Sequence, residues 1–115
     1  MSWEIILINT IEETTISDNL PNFGEKQFFI ENVKSIFPQS TFTTESNNLI
    51  VDNDYFHCEF DLGNDKNIEN IIFVQEIYLN KSKSIAPFFD ELCKKNNWQA
   101  IDLISGTSIN WLEFI

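Results

Sequence analysis

The chain of 115 residues sets eighteen Asp and Glu against seven lysines and no arginine, a formal net charge of −11 at pH 7. A charge of this sign and size repels nucleic acid and anionic membranes and draws in basic proteins, without choosing a fold. Disorder is excluded too, because acidic disordered segments are poor in aromatics, whereas 14% of this chain is aromatic and 43% is apolar.

In chain order, the run Trp3-Glu4-Ile5-Ile6-Leu7-Ile8-Asn9 predicts a first strand, and the polar stretch from Thr10 to Gly24 predicts a long loop. Phe29, Val33, Ile36 and Phe37 form one helical stripe over residues 25–37, and Pro38 ends it. Gln39 to Asn48 is a loop or edge strand carrying Phe42, Leu49-Ile50-Val51 a short strand, and Asp52-Asn53-Asp54 a turn. From Tyr55 to Leu62 the pattern alternates: Phe56, Cys58, Phe60 and Leu62 face one way, Tyr55, His57, Glu59 and Asp61 the other. That is the signature of a half-buried strand.

The segment Gly63-Asn64-Asp65-Lys66-Asn67 turns the chain into a strand over residues 71–79, where counting by two puts Ile71, Phe73, Ile77 and Leu79 on the core side. Ser84 caps a second helix that runs to about Lys95, with Ile85, Phe88, Phe89, Leu92 and Cys93 as its stripe and Lys94-Lys95 at the negative end of its dipole. A strand from Ala100 to Ile104, a turn at Ser105-Gly106-Thr107-Ser108 and a last strand from Ile109 to Ile115 complete the order. Short turns make neighbouring strands antiparallel, and two amphipathic helices cover one sheet face. The expectation is an α+β two-layer sandwich in a single domain, residues 1–115, with the other sheet face open.

No apolar run approaches a bilayer span, the longest being Ile5 to Ile8 and Ile71 to Val74. Residues 1–4 offer no basic region ahead of an apolar one, so no secretory leader is expected. Cys58 and Cys93 make no disulfide framework. A reduced cytoplasmic protein follows, and abundant Ile, Asn and Lys without Arg points to an AT-rich, bacterial coding sequence.

Chemistry is hard to place. His57 is the one histidine, and alternation puts it across the strand from Cys58, so the two cannot act as base and nucleophile. Asp52-Asn53-Asp54 opens like a calcium loop, but Phe56 takes the next oxygen position and no glycine follows. Glu59 and Asp61 lie about 7 Å apart on one face, a glycosidase-like spacing with nothing nearby to raise a pKa. Gly24, Gly63 and Gly106 are scattered and build no phosphate loop, and no basic stripe serves nucleic acid. No cofactor, no metal and no enzymatic activity are expected.

The open face is the surface that stands out. Ile6, Ile8, Tyr55, His57, Glu59 and Asp61 fall on it, and the same count by two adds Ile72, Val74, Glu76 and Tyr78. An apolar and aromatic centre among carboxylates suits a protein-binding patch. Cover by the loop from Thr10 to Gly24, or a homodimer, suits it equally. The candidate partner-binding residues are Asp52, Asp54, Tyr55, His57, Glu59, Asp61, Asp65, Glu76 and Tyr78.

Met1-Ser2-Trp3-Glu4-Ile5, Ile36-Phe37-Pro38 and Glu59-Phe60-Asp61-Leu62-Gly63-Asn64-Asp65 resemble a group of short bacterial proteins that open with Met-Ser-Trp-acidic-Ile. Leu92-Cys93, Asn97-Trp98-Gln99-Ala100, Asp102 and Ser105-Gly106 match as well. In size, acidity and lack of catalytic residues the chain also resembles immunity proteins of bacterial polymorphic toxin and contact-dependent growth inhibition systems. That resemblance implies a non-catalytic protein that neutralises one cognate toxin domain, commonly a basic nuclease. An acidic nucleic-acid mimic or another non-catalytic protein-binding module is the alternative, with a small hydrolase using Glu59, Asp61 and His57 behind both.

Overall fold

Side chains spaced by two on strands and by three and four on helices bring most of the large apolar residues to one side of a single sheet. The computed structural model describes residues 4–12, 19–53, 56–79 and 85–114. In chain order these form β1 (Ile5–Ile8), β2 (Gly24–Glu25), α1 (Lys26–Ile36), β3 (Thr41–Thr43), β4 (Asn48–Asp52), β5 (Phe56–Asp61), β6 (Asn67–Ile68), β7 (Ile71–Leu79), α2 (Ala86–Asn96) and β8 (Gln99–Asp102), then a 3₁₀ helix, Trp111–Phe114. Six strands make one antiparallel sheet in the order β3-β4-β5-β7-β1-β8, and β2 pairs with β6 in a separate two-stranded ribbon. The protein is an α+β fold, with both helices on one face of the sheet.

That face holds the main core. Phe29, Ile30 and Val33 of α1 and Phe88, Phe89, Leu92 and Cys93 of α2 pack onto Ile5, Leu7, Leu49, Val51, Phe56, Cys58, Phe60, Ile72 and Val74. Aromatic rings run through it: Phe29 stacks on Trp98 at 5.2 Å, meets Phe60 edge-on at 5.4 Å, and Phe89 stacks on Trp111 at 4.9 Å. Such pairs add about 0.5–1.5 kcal/mol beyond the area they bury. Helix α2 ends at Asn97, whose left-handed φ of 58° lets the Trp98 amide reach back to the Cys93 carbonyl. Lys94 pairs with Asp90 at 3.1 Å, and Lys95 donates to the Ser35 hydroxyl of α1.

The sequence pattern misplaces three features. In β7, Ile72 and Val74 face the helices and are buried, while Phe73 points away and is 49% exposed. The reason is a bulge. His57 pairs with Tyr78 and Glu59 with Gln75, so between those pairs β5 has one residue, Cys58, and β7 has two, Glu76 and Ile77. Glu76 takes a left-handed φ of 53° there, and the extra residue resets the alternation so that Ile77 returns to the core. Ile72 and Val74 therefore leave the list of open-face residues, and Ile71 and Phe73 join it.

Second, residues 109–114 do not form a strand. Ser108 bridges to Ile101, the Ile109 amide bonds to the Ala100 carbonyl, and the chain then coils into the 3₁₀ helix that drops Trp111 onto Phe89. Third, a ribbon of β2 and β6 forms where Gly24 and Asn67 read as loop and turn and Glu25 as the start of the helix. The expected cap at Ser84 lies outside the described residues; helix α2 starts after Ile85, with Pro87 in its first turn. No described helix is long and apolar enough to cross a membrane.

Candidate functional site on the open sheet face

The face turned from the helices divides into a covered half and a bare half. At the β1–β8 end, Ile6, Ile8 and Ile101 are buried beneath Leu20, with Ile71 and Leu103 packed alongside. Leu20, from the described end of the long connection after β1, covers the apolar end. Beyond it, β7, β5, β4 and β3 present polar rows set by the register. Asp52 lies opposite His57 and His57 opposite Tyr78; Ile50 lies opposite Glu59 and Glu59 opposite Gln75; Asn48 lies opposite Asp61 and Asp61 opposite Phe73.

The strand pattern that buries Phe56, Cys58 and Phe60 necessarily lifts His57, Glu59 and Asp61 to this side. The hairpin that brings Asp52 across is tied at its mouth, where the Asn53 amide donates to the Phe56 carbonyl and the Phe56 amide donates to Asn53 Oδ1. Asp52, His57 and Glu59 then form one chain of charge. His57 Nδ1 lies 3.2 Å from Asp52 Oδ1 and Nε2 lies 2.9 Å from Glu59 Oε2, while Asn48 Nδ2 donates to Glu59 Oε1 at 3.1 Å. Partial burial opposes the charge on His57. The hydrogen bonds to Glu59 and Asp52, with their negative charge, outweigh it and raise the imidazole above its ordinary value of 6.5.

With a carboxylate on each ring nitrogen, the imidazole is built to be a doubly donating cation rather than an open base. The Tyr78 ring sits 5.8 Å from it, and the Tyr78 hydroxyl donates to Glu76, whose carboxylate raises the phenol above its ordinary range. The two thiols offer no nucleophile on this face. Burial pushes Cys58 above the normal thiol range and Cys93 up to about 12, with Asp90 adding to the latter. Both are free and buried, and thiols in such settings are inert.

Of the expected site residues, Asp52, His57, Glu59, Glu76 and Tyr78 come together at one end of the bare half. Asp61 lies further along β5, where it accepts the Gly63 amide at 3.1 Å and steadies a turn that needs the positive φ of Gly63, 75°. Asp65 lies in that turn beside an open cleft of about 340 Å³ formed with Asp61, Leu62, Asn67, Glu69, Ile71 and Phe73. Asp54 and Tyr55 lie outside the described residues. Asn48, Glu69 and Phe73 are additions. The adjacent polar pair Gln75-Glu76 is the trace of the bulge that exposes Phe73, since two polar residues between buried Val74 and Ile77 break a period of two.

Charge is unevenly divided between the layers. The two helices hold four lysines and three carboxylates; the six strands of the large sheet hold five carboxylates and no lysine. Among the described residues, no group of three or more His, Cys, Asp and Glu is placed to hold a metal ion. Searches against protein-family models, curated proteins and solved structures find nothing that matches this chain.

Proposed function

We propose that this chain is an immunity protein: a non-catalytic, acidic cytoplasmic domain that binds and neutralises a cognate basic toxin domain through the bare half of its sheet. The observation that supports this most is the separation of charge, with carboxylates on a strand surface that has no lysine of its own. Asp52, His57, Glu59, Asp61, Glu76 and Tyr78 supply the mixture of aromatic and charged groups from which interface anchors are drawn. A basic partner gains complementarity along the whole surface, whereas a second copy of this chain would set like charges against each other.

The experiment is co-purification with the toxin domain encoded directly upstream, followed by kinetics across salt. A specific complex would bury roughly 1,600 Å², and raising salt should slow association on the order of tenfold or more while changing dissociation little. Reversing Glu76 and Asp61 to Lys together should remove protection of toxin-expressing cells. A complex insensitive to both salt and these reversals would overturn the reading.

A further inference from the structure

The cleft beside Asp61 brings apolar Leu62, Ile68 and Ile71 and the ring of Phe73 together with the carboxylates of Asp61, Asp65 and Glu69. Phe73 is 49% exposed on a sheet face whose other apolar end is sealed under Leu20. An aromatic ring exposed beside carboxylates presents a face on which a cation can sit.

The loop that forms the cleft has two sides, and only one is served from within the chain. On the far side, Lys26 Nζ donates to the Gly63 carbonyl at 2.7 Å and sits 5.8 Å above the Phe42 ring, with Lys66 beside it. On the cleft side no lysine lines the walls, and Asp65 and Glu69 form no ion pair with any described residue. The near side thus offers a flat ring, as Phe42 does to Lys26 across the loop, and carboxylates where Lys26 has the Gly63 carbonyl and the Asn47 amide oxygen, with no cation lining it.

We infer that this cleft receives an arginine side chain of the basic partner, its guanidinium stacked on Phe73 and hydrogen-bonded by Asp65 and Glu69, its stem lying on Ile71. The inference rests on the reading of the bare face as a partner surface. Arginine is the occupant because its planar head stacks flat on a ring while its rigid fork of donors meets two carboxylates at once, whereas an ammonium is a compact point charge with no flat face. The cleft's size, about 340 Å³, is near the lower end of the roughly 300–1,000 Å³ typical of ligand pockets, which suits one long side chain.

The test uses the whole protein, ¹⁵N-labelled, titrated with a blocked tetra-arginine peptide and followed by amide chemical shifts. Tetra-lysine and tetra-citrulline peptides are the controls, citrulline having the shape of arginine without its charge. Shifts should concentrate on residues 61–73, with lysine weaker and citrulline inert. Phe73→Ala should weaken the arginine peptide roughly 2- to 5-fold, the scale of an exposed cation–π contact, and D65N/E69Q should weaken it roughly 3- to 10-fold by removing two charged acceptors. All three residues are on the surface, so both variants keep the fold, which their own spectra verify.

Shifts spread evenly over the acidic surface, shifts centred on Asp52 and His57, or equal binding of lysine would each overturn the assignment. The peptide assay needs no toxin, so its failure removes the cleft alone. Failure of the upstream toxin to bind removes the reading beneath it.

Discussion

Strand β5 belongs to two surfaces at once. On the helix side Phe56, Cys58 and Phe60 are sealed among aromatic rings; on the other side His57, Glu59 and Asp61 stay half-buried and charged. Residues adjacent in sequence are thus under different physical control, packing on one side and electrostatics on the other. Substitutions on the helix side act through cavities and should unfold the protein, whereas substitutions on the bare side act through charge and leave the fold standing. The separation lets a chain of net charge −11 keep a compact core, because the carboxylates lie outside the apolar cluster packed beneath the helices.

The largest effect should come from Phe89→Ala. The side chain is fully buried, stacks on Trp111, and meets Phe60 at 5.9 Å and Phe88 at 5.2 Å. Truncating it should cost about 3–5 kcal/mol, as for other buried aromatics, measured by chemical denaturation. A loss below about 1 kcal/mol would mean that the helix layer tolerates a hole and that the two faces differ less than the packing indicates.

Leu20→Ala tests the boundary between the halves of the bare face. Leu20 is 6% exposed and closes the small cluster of Ile6, Ile8 and Ile101. The expected cost is about 2 kcal/mol, the low end for Leu→Ala because few neighbours share the site. Binding of a hydrophobic dye should rise in the variant. An unchanged denaturation midpoint would show that the connection does not seal this end.

The thiols provide a milder probe. Cys58 and Cys93, raised in pKa by burial, should react with a bulky reagent only on unfolding, so labelling rates should follow global stability across denaturant. Cys58→Ser would place a hydroxyl among apolar groups and should destabilise by about 1–3 kcal/mol. Rapid labelling of either thiol in the native protein would contradict its place in the core.

Legibility in the sequence follows the same division. The alternation of β5 and the stripe of α2 are visible residue by residue, because Ile85, Phe88, Phe89, Leu92 and Cys93 are all buried as their spacing predicts. Half of β7 is misread because a bulge changes the period inside an apolar run, and counting by two from Ile71 sends Phe73 inward. The chain end is misread because Trp111-Leu112-Glu113-Phe114 has strand-like composition, whereas the structure coils it to seat Trp111 on Phe89. Of the site, the His57, Glu59 and Asp61 side of β5 is legible from alternation alone. The pairing of Asp52 with His57 depends on hairpin register, and the cleft at Phe73 depends on the bulge; neither leaves more than a faint trace in composition.

The smallest effect concerns His57 itself. Its imidazole is 24% exposed and lies between Asp52 and Glu59, with the Tyr78 ring on the neighbouring strand and Glu76 behind that ring. Burial works against the proton, but the two carboxylates win, so the folded pKa lies above 6.5. A group whose pKa rises on folding contributes fully below its unfolded value and loses that contribution as pH climbs through the folded one. The stability difference between the native sequence and His57→Gln should therefore be greatest below about pH 6.5 and shrink as pH rises. Its size should stay below about 1 kcal/mol, as for partly exposed ion pairs, and fall with added salt. The same titration alters the proposed partner surface, since losing the proton leaves Asp52 and Glu59 uncompensated and should hasten association with a basic partner at higher pH. A stability difference that grows with pH would mean that the native imidazole is neutral, and that the two carboxylates hold it by hydrogen bonds without its charge.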